Sequence, residues 1–355
     1  MPVTLPRLSR SDLRGFAVLI IVGIMIGATV FAFVLYETTL NGIPSLPTGP
    51  FRFLIAGDLG GLYTFDGSNL ESVGVPTSSD LNQVAWRHDR AYALIAGDGG
   101  TLLKYHEGSV EIIATSIPSS TNLYTVSWKQ DDSEALIAGS GGTVLRFDGN
   151  AIEKVASGIS ATVFSARWKP DGTIALLAGA KGLVAKYDGA NFTKVYSPIT
   201  VDLYDVEWDP SGSYALIGGL SATLLRYEGR VLVPVYTLGF FGNNPNDAHG
   251  IRDIAFSRVT GMALITGNKG LTMMYDQGKL SRTEEYTDME GRITDLHQIG
   301  DFTAVAWVEG TQTAFAIGEN GTVARVTSMT VTLIRQTPTG IWFRGMVTLA
   351  ERTLE

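Results

Sequence analysis

A pentapeptide close to Ala-Leu-Ile-Ala-Gly recurs along this chain, and its closing glycine stands at Gly57, Gly97, Gly139, Gly179, Gly219, Gly267 and Gly318. The intervals are 40, 42, 40, 40, 48 and 51 residues. Eleven residues before each of the last six glycines stands an aromatic: Trp86, Trp128, Trp168, Trp208, Phe256 and Trp307. A period of this length marks a stack of equivalent units, each of which buries its apolar faces only against its neighbours.

One unit contains four short runs, at 123–128, 135–139, 142–147 and 152–155, bounded by Gly, Asp and polar turns. Their alternating or continuously apolar character reads as four strands, which we label a, b, c and d, with a innermost. Four strands in about 40 residues make one blade of a β-propeller. Three positions after each repeat glycine comes Gly60, Gly100, Gly142, Gly182, Ala222, Gly270 or Gly321. A tight b–c hairpin needs positive φ there, so the turn at Ala222 is expected to differ from the rest. The abundance of glycine, 41 in 355 residues, fits many such turns and not a long-helix protein.

The first repeat, 54–57, has no strand a before it, because Pro44, Pro47 and Pro50 precede it. At the other end, residues 341–347 resemble a strand a with no b strand after them. Joining the two gives an all-β, seven-bladed β-propeller of four-stranded blades over residues 51–355, closed by the C-terminal strand 341–347 and leaving no open edge between first and last blades.

Ahead of the repeats, residues 16–36 form an uncharged apolar run of 21 residues, long enough to cross a bilayer as one α-helix. Arg7, Arg10 and Arg14 precede it and Glu37 follows. The positive-inside rule therefore expects a cytoplasmic tail at 1–15, an uncleaved signal-anchor helix at 16–36 and an extracytoplasmic remainder, with the cell membrane as location. A cleaved signal peptide and a prepilin-type signal are the rival readings. Gly23 and Gly27 have the spacing that lets two membrane helices pack closely, although glycine is common in such helices in any case. Residues 37–50 hold three Pro and two Gly, a linker composition. Removing residues 1–36 takes away three Arg and one Asp from 27 basic and 35 acidic residues, leaving 24 and 34, net −10. Such an acidic ectodomain argues against nucleic acid as a partner.

The unit resembles the WD-repeat and YVTN-type propeller superfamily, most closely at Val206, Trp208, Pro210 and Gly212, and at Ala166, Trp168, Pro170 and Gly172. No Gly-His dipeptide opens the repeats, and Tyr/Phe-Asp/Glu replaces the family's Trp-Asp. The family's His-Asp-Ser-Trp network is therefore not carried over. The glycine-rich turns are also similar to the assembly-factor propellers of membrane photosystems. These resemblances imply the propeller fold, which hosts many functions and does not by itself choose one.

Strand direction places the linker on the face of the a–b and c–d loops, so the d–a loops and b–c turns point away from the membrane. The two long repeats gain their length there, at 238–250 and about 284–301, in adjacent blades. Phe240, Phe241, Asn243, Asn244, Asp247 and His249 form the first candidate contact patch, with the two Phe alternatively plugging the core; Tyr286, Met289 and Arg292 are secondary. Asp58, Asp98, Asn268 and Glu319 ring the same rim but lack a compact cation-binding loop, so turn formation is the plainer reading. Lys104, Arg146, Lys186, Arg226 and Arg325 recur along strand c and read as solvated ends. Asn191 and Asn320 open glycosylation sequons.

With no Cys and four His, at 88, 106, 249 and 297, the chain has no disulfide, thiolate site or His-based metal motif. No cofactor or metal is expected, no nucleophile elbow occurs, and the chain reads as a non-enzyme. The leading expectation is a membrane-anchored interaction scaffold, assembly factor or accessory subunit, docking protein partners of a membrane or envelope complex. The alternatives are a surface carbohydrate or ligand receptor, and a hydrolase or lyase using a central-pocket carboxylate.

Overall fold

The computed structural model describes residues 51–235, 250–283, 285–287, 292, 300–327, 330–335 and 340–350. The segment 16–36, Gly23, Gly27 and the linker lie outside the described residues, as do Phe240, Phe241, Asn243, Asn244, Asp247, His249 and Met289. Among the described residues no helix is long and apolar enough to cross a membrane.

Seven sheets follow one another along the chain, antiparallel apart from one added strand in the last. In blade 3 the strands are Leu123–Trp128, Ala135–Gly139, Val144–Phe147 and Ile152–Lys154, paired in sequence order. The b strands of blades 2 to 7 are buried along their whole length. Blade 3 shows why this strand is continuously apolar instead of alternating. Ala135 and Ile137 pack in the cluster shared with blade 2, while Leu136 and Ala138 pack in the cluster shared with blade 4. Each face of the strand fills a different interblade layer.

Blade 1 is assembled from both ends of the chain. Phe51–Gly57 pairs with Phe343–Ala350, Phe51 opposite Ala350 and Ala56 opposite Gly345. Leu62–Phe65 and Leu70–Ser72 complete the sheet. The strand from the C-terminal end is thus innermost, and Gly345 lies so close to blade 2 that a Cβ there would stand 2.8 Å from Asn82 O.

Blade 7 departs from the four-stranded plan. Glu285–Thr287, within the stretch expected to be a long loop, adds in parallel to the outer strand Thr330–Arg335 and makes a fifth strand. Tyr286 is 6% exposed and packs with Val331, Phe302 and Met274. Covering an outer edge in this way removes a pairing surface, and it takes the Tyr286 side chain out of the proposed contact patch.

The turn at Ala222 differs in part: the other six b–c turns each form one turn of 3-10 helix and this one does not, although its backbone takes a similar course. Ala222 adopts φ 51°. The bonds Gly219 N to Thr223 O and Thr223 N to Leu220 O match those of the glycine-bearing turns, such as Gly97 N to Thr101 O and Thr101 N to Asp98 O.

Candidate functional site

Every a–b pair carries a bulge at the start of strand a, between its first and third residues. A bulge re-aims a side chain. The second residues of the a strands, Asn82, Tyr124, Phe164, Tyr204, Arg252, Thr303 and Arg344, all line one central cavity of about 560 Å³.

The third residues stitch the blades together. Gln83 Oε1 accepts the Val126 N–H at 2.7 Å, Thr125 Oγ1 the Ala166 N–H at 3.1 Å, and Ser165 Oγ the Val206 N–H at 3.3 Å. Asp205 Oδ2 accepts the Ile254 N–H at 3.0 Å and Asp253 Oδ2 the Val305 N–H at 2.7 Å. A neutral oxygen does this work in blades 2, 3 and 4. In blades 5 and 6 a carboxylate does it, at the desolvation cost of an acid where a hydroxyl would serve. The stitching therefore accounts for one oxygen of each Asp and not for its charge.

Two further charged groups stand at the fifth positions of their strands, Arg167 in blade 4 and Glu207 in blade 5. Arg167 Nε donates to Glu207 Oε2 at 2.9 Å, its Nη1 donates to Ala166 O at 3.1 Å, and its Nη2 lies 3.8 Å from Asp205 Oδ1. The Ser165 hydroxyl donates to Asp205 Oδ1 at 2.8 Å. Asp205 is 3% exposed, and both it and Asp253 belong to the cavity wall. Burial pushes the Asp253 carboxyl well above the usual range, and the neighbouring Asp205 charge pushes it the same way. Burial also raises Asp205, opposed by Arg167 and by a hydrogen bond from Asp253. The two carboxyl groups titrate as a pair, each influencing the other across the seam between blades 5 and 6. Glu207 keeps 29% of its side chain exposed to the cavity, and the partial loss of water there pushes it up to about 7, with Arg167 partly opposing the shift. Burial draws the Arg167 guanidinium down, but Asp205, Glu207 and Asp253 outweigh it and the net shift is upward.

The cavity mouth has a different chemistry. The rings of Tyr124 and Phe164 lie 5.6 Å apart, and those of Phe164 and Tyr204 5.3 Å apart. Arg252 continues the arc, its guanidinium carbon 4.3 Å from the Tyr204 ring centre. Across the seam, Arg344 is tied to Asp58, to Asp80 at 2.8 Å and to Asn82 Oδ1 at 3.2 Å.

The structure disperses the other sequence candidates. Asp58 is engaged by Arg344, Asp98 Oδ1 accepts from Asn82 at 2.7 Å, and Asn268 Oδ1 accepts from Arg252 at 2.8 Å. These rim groups are thus taken up by strand-a side chains, and among the described residues no group of His, Cys, Asp and Glu is arranged to hold a metal ion. Lys104 pairs with Glu111, Arg146 with Glu153 and Arg226 with Glu228. Arg292 is exposed, as is Asn191 beside strand d of blade 4. Asn320 is half-buried in its turn, with φ 54°. The cavity residues Arg167, Asp205, Glu207 and Asp253 were not singled out by sequence reasoning. The signal lay in the strand-a alignment, where charges replace Gln83, Thr125, Ala85 and Ala304 of other blades.

No protein-family model matches this chain, and no curated protein does. Solved structures do match. A periplasmic gluconolactonase of Pseudomonas aeruginosa superposes with TM-score 0.62 at 15% identity, over 85% of this chain and 99% of that one. A chain of the mitotic checkpoint complex superposes with TM-score 0.59 at 15% identity, over 83% of this chain and 87% of that one. The likeness is one of fold. In all, 1325 solved chains match, so shape by itself selects no activity.

The non-enzyme expectation does not stand. One of these neighbours is a gluconolactonase, an enzyme on this architecture. The expectation rested on the lack of contiguous motifs, whereas a propeller gathers a site from single residues one blade apart. Asp205 and Asp253 are 48 positions apart in the chain and line the same cavity in the fold.

Proposed function

We propose that this chain is a membrane-tethered propeller held outside the cytoplasm, whose central cavity binds a small polar molecule and performs proton-transfer chemistry on it, as a hydrolase or lyase would. The reading rests on one observation: Glu207 and the Asp205–Asp253 pair face a cavity of about 560 Å³ with Arg167 between them. That volume suits a small molecule. A carboxyl group held at about 7 is present in both protonation states near neutrality, the condition under which a general acid or base works best. The Asp pair, raised by burial, supplies a second protonatable group, and Arg167 a fixed cation for developing negative charge.

The tether rests on the apolar run 16–36 and the arginines before it. The chain has no Cys, so a single Ser68→Cys at an exposed turn of blade 1 reports its side of the membrane. It should react with a membrane-impermeant maleimide in intact cells; protection until lysis would rule out the outward placement.

A protein-docking role is supported by a different observation, the exposed apolar side chains Leu59 and Tyr196, 76% and 83% exposed, together with the propeller neighbour in the mitotic checkpoint complex. One experiment separates the two readings. Full-length protein in detergent is screened by thermal shift against sugars, lactones, hydroxy acids and short peptides. The cavity reading predicts stabilisation by one small polar class, with Glu207→Gln binding it but turning it over at least about 100-fold more slowly. Absence of any response, with a protein complex co-purifying from membranes, would replace it by the docking reading.

A further inference from the structure

The charges at the cavity mouth are unequally matched. Arg344 is held by two carboxylates, those of Asp58 and Asp80. Arg167 is held by Glu207 and lies near Asp205. Arg252 donates through Nε to the neutral amide oxygen of Asn268 at 2.8 Å, and its two terminal nitrogens meet no carboxylate among the described residues. Stacking on Tyr204 fixes the guanidinium plane at the cavity wall. A planar fork with free terminal donors is the geometry that takes a carboxylate by two parallel hydrogen bonds.

Beside Arg252, the Tyr204, Phe164 and Tyr124 rings form an arc with apolar surface. Below it, the third and fifth positions of the same strands carry Ser165, Asp205, Asp253, Arg167 and Glu207. An apolar ring pressed into that floor would take water from the charged groups Arg167 and Glu207, which keep 20% and 29% of their side chains exposed, with nothing to replace it. A ring that is apolar on its C–H face and hydroxylated at its rim satisfies both levels. Second and fifth positions are three residues apart on a strand, roughly 10 Å, which is longer than one sugar ring and close to two.

Resting on the cavity reading above, we infer that the ligand is an acidic disaccharide, a uronic acid whose carboxylate is held by Arg252 and whose rings lie along Tyr124, Phe164 and Tyr204 with their hydroxyls on the Arg167–Glu207 floor. Arg252 and the arc discriminate charge and ring shape, and the floor performs the chemistry.

The test is a titration of full-length protein in detergent with glucuronic- and galacturonic-acid disaccharides and, in parallel, with their methyl esters. At least one free acid should bind about tenfold or more tightly than its ester, as loss of a charge-assisted bidentate contact implies. Arg252→Gln should erase that preference while leaving affinity for the ester within about twofold, and Tyr204→Leu should weaken both. Equal affinity for acid and ester, an Arg252→Gln variant that keeps the preference, or no binding of any of these sugars would overturn the inference. The broad ligand screen still decides the cavity reading in that event, because other small polar classes remain in it. Arg252→Lys, which keeps the charge and loses the fork, should recover only part of the preference.

Discussion

Two small residues on equivalent hairpins show how each turn is specified. The last glycine of every b strand has an extended backbone, so φ does not explain it. At Gly139 an added Cβ would lie 1.9 Å from Asn122 O, and the next residue, Ser140, donates its N–H to that same carbonyl at 2.9 Å. Close approach is what the position requires. Gly139→Ala should therefore destabilise the protein by about 3 kcal/mol, the upper range for overpacking, read as a shift in the denaturation midpoint; a neutral result would mean the b–c turn is not seated on the start of strand a. Ala222 presents the opposite case. It holds φ 51° where six other turns have glycine, and an L residue in that region costs about 1–2 kcal/mol. Ala222→Gly should stabilise by about 1 kcal/mol after the entropy of the freer unfolded chain is counted. In blades 1 to 4 the d–a connection crowds this site, as Ile159 O does at Gly142.

At the level of strands, the seam carries the most consequence. Phe343–Ala350 completes blade 1, Arg344 ties it to Asp58 and Asp80, and Gly345 seats it against blade 2. Deleting residues 338–355 should leave no folded monomer in size-exclusion chromatography with circular dichroism, because blade 1 would lose its inner strand and two blades their neighbour. A folded truncated monomer would show that the ring does not need its seam. This arrangement was legible in the sequence because the first repeat lacks a strand a and the last segment has an unpaired one. The fifth strand of blade 7 was not legible. Glu285–Thr287 is three residues long, and its pairing with Thr330–Thr332 is parallel and set by packing of Tyr286 in the blade 7 core, for which local pattern has no signature.

For the molecule as a whole, the acids of the cavity wall give stability a definite pH dependence. Glu207 titrates near 4.3 in an unfolded chain and at about 7 in the fold. A raised value of this kind contributes stability that is fully present below the unfolded pKa and is lost as pH rises through the folded one. The Asp205–Asp253 pair is raised as well and acts in the same direction. Denaturant unfolding should show stability falling between about pH 4.5 and 7.5, by no more than about 3 kcal/mol from Glu207, with Glu207→Gln flattening that slope. The repeats made the ring legible, since blades 2 to 7 keep the same eleven-residue spacing from aromatic to glycine. The cavity floor was hidden because its members are separated by whole blades and meet only when the ring closes. Aligning the seven strand-a segments reveals it, for there Asp205, Glu207, Asp253 and Arg167 interrupt a column of neutral residues. The most direct measurement is the carboxyl-carbon chemical shift of Glu207, assigned by comparison with Glu207→Gln and followed from pH 3 to 9 in protein labelled at glutamate. A midpoint about 7 is the predicted result. A midpoint in the ordinary range near 4.5 would contradict a poised acid–base group in the central cavity.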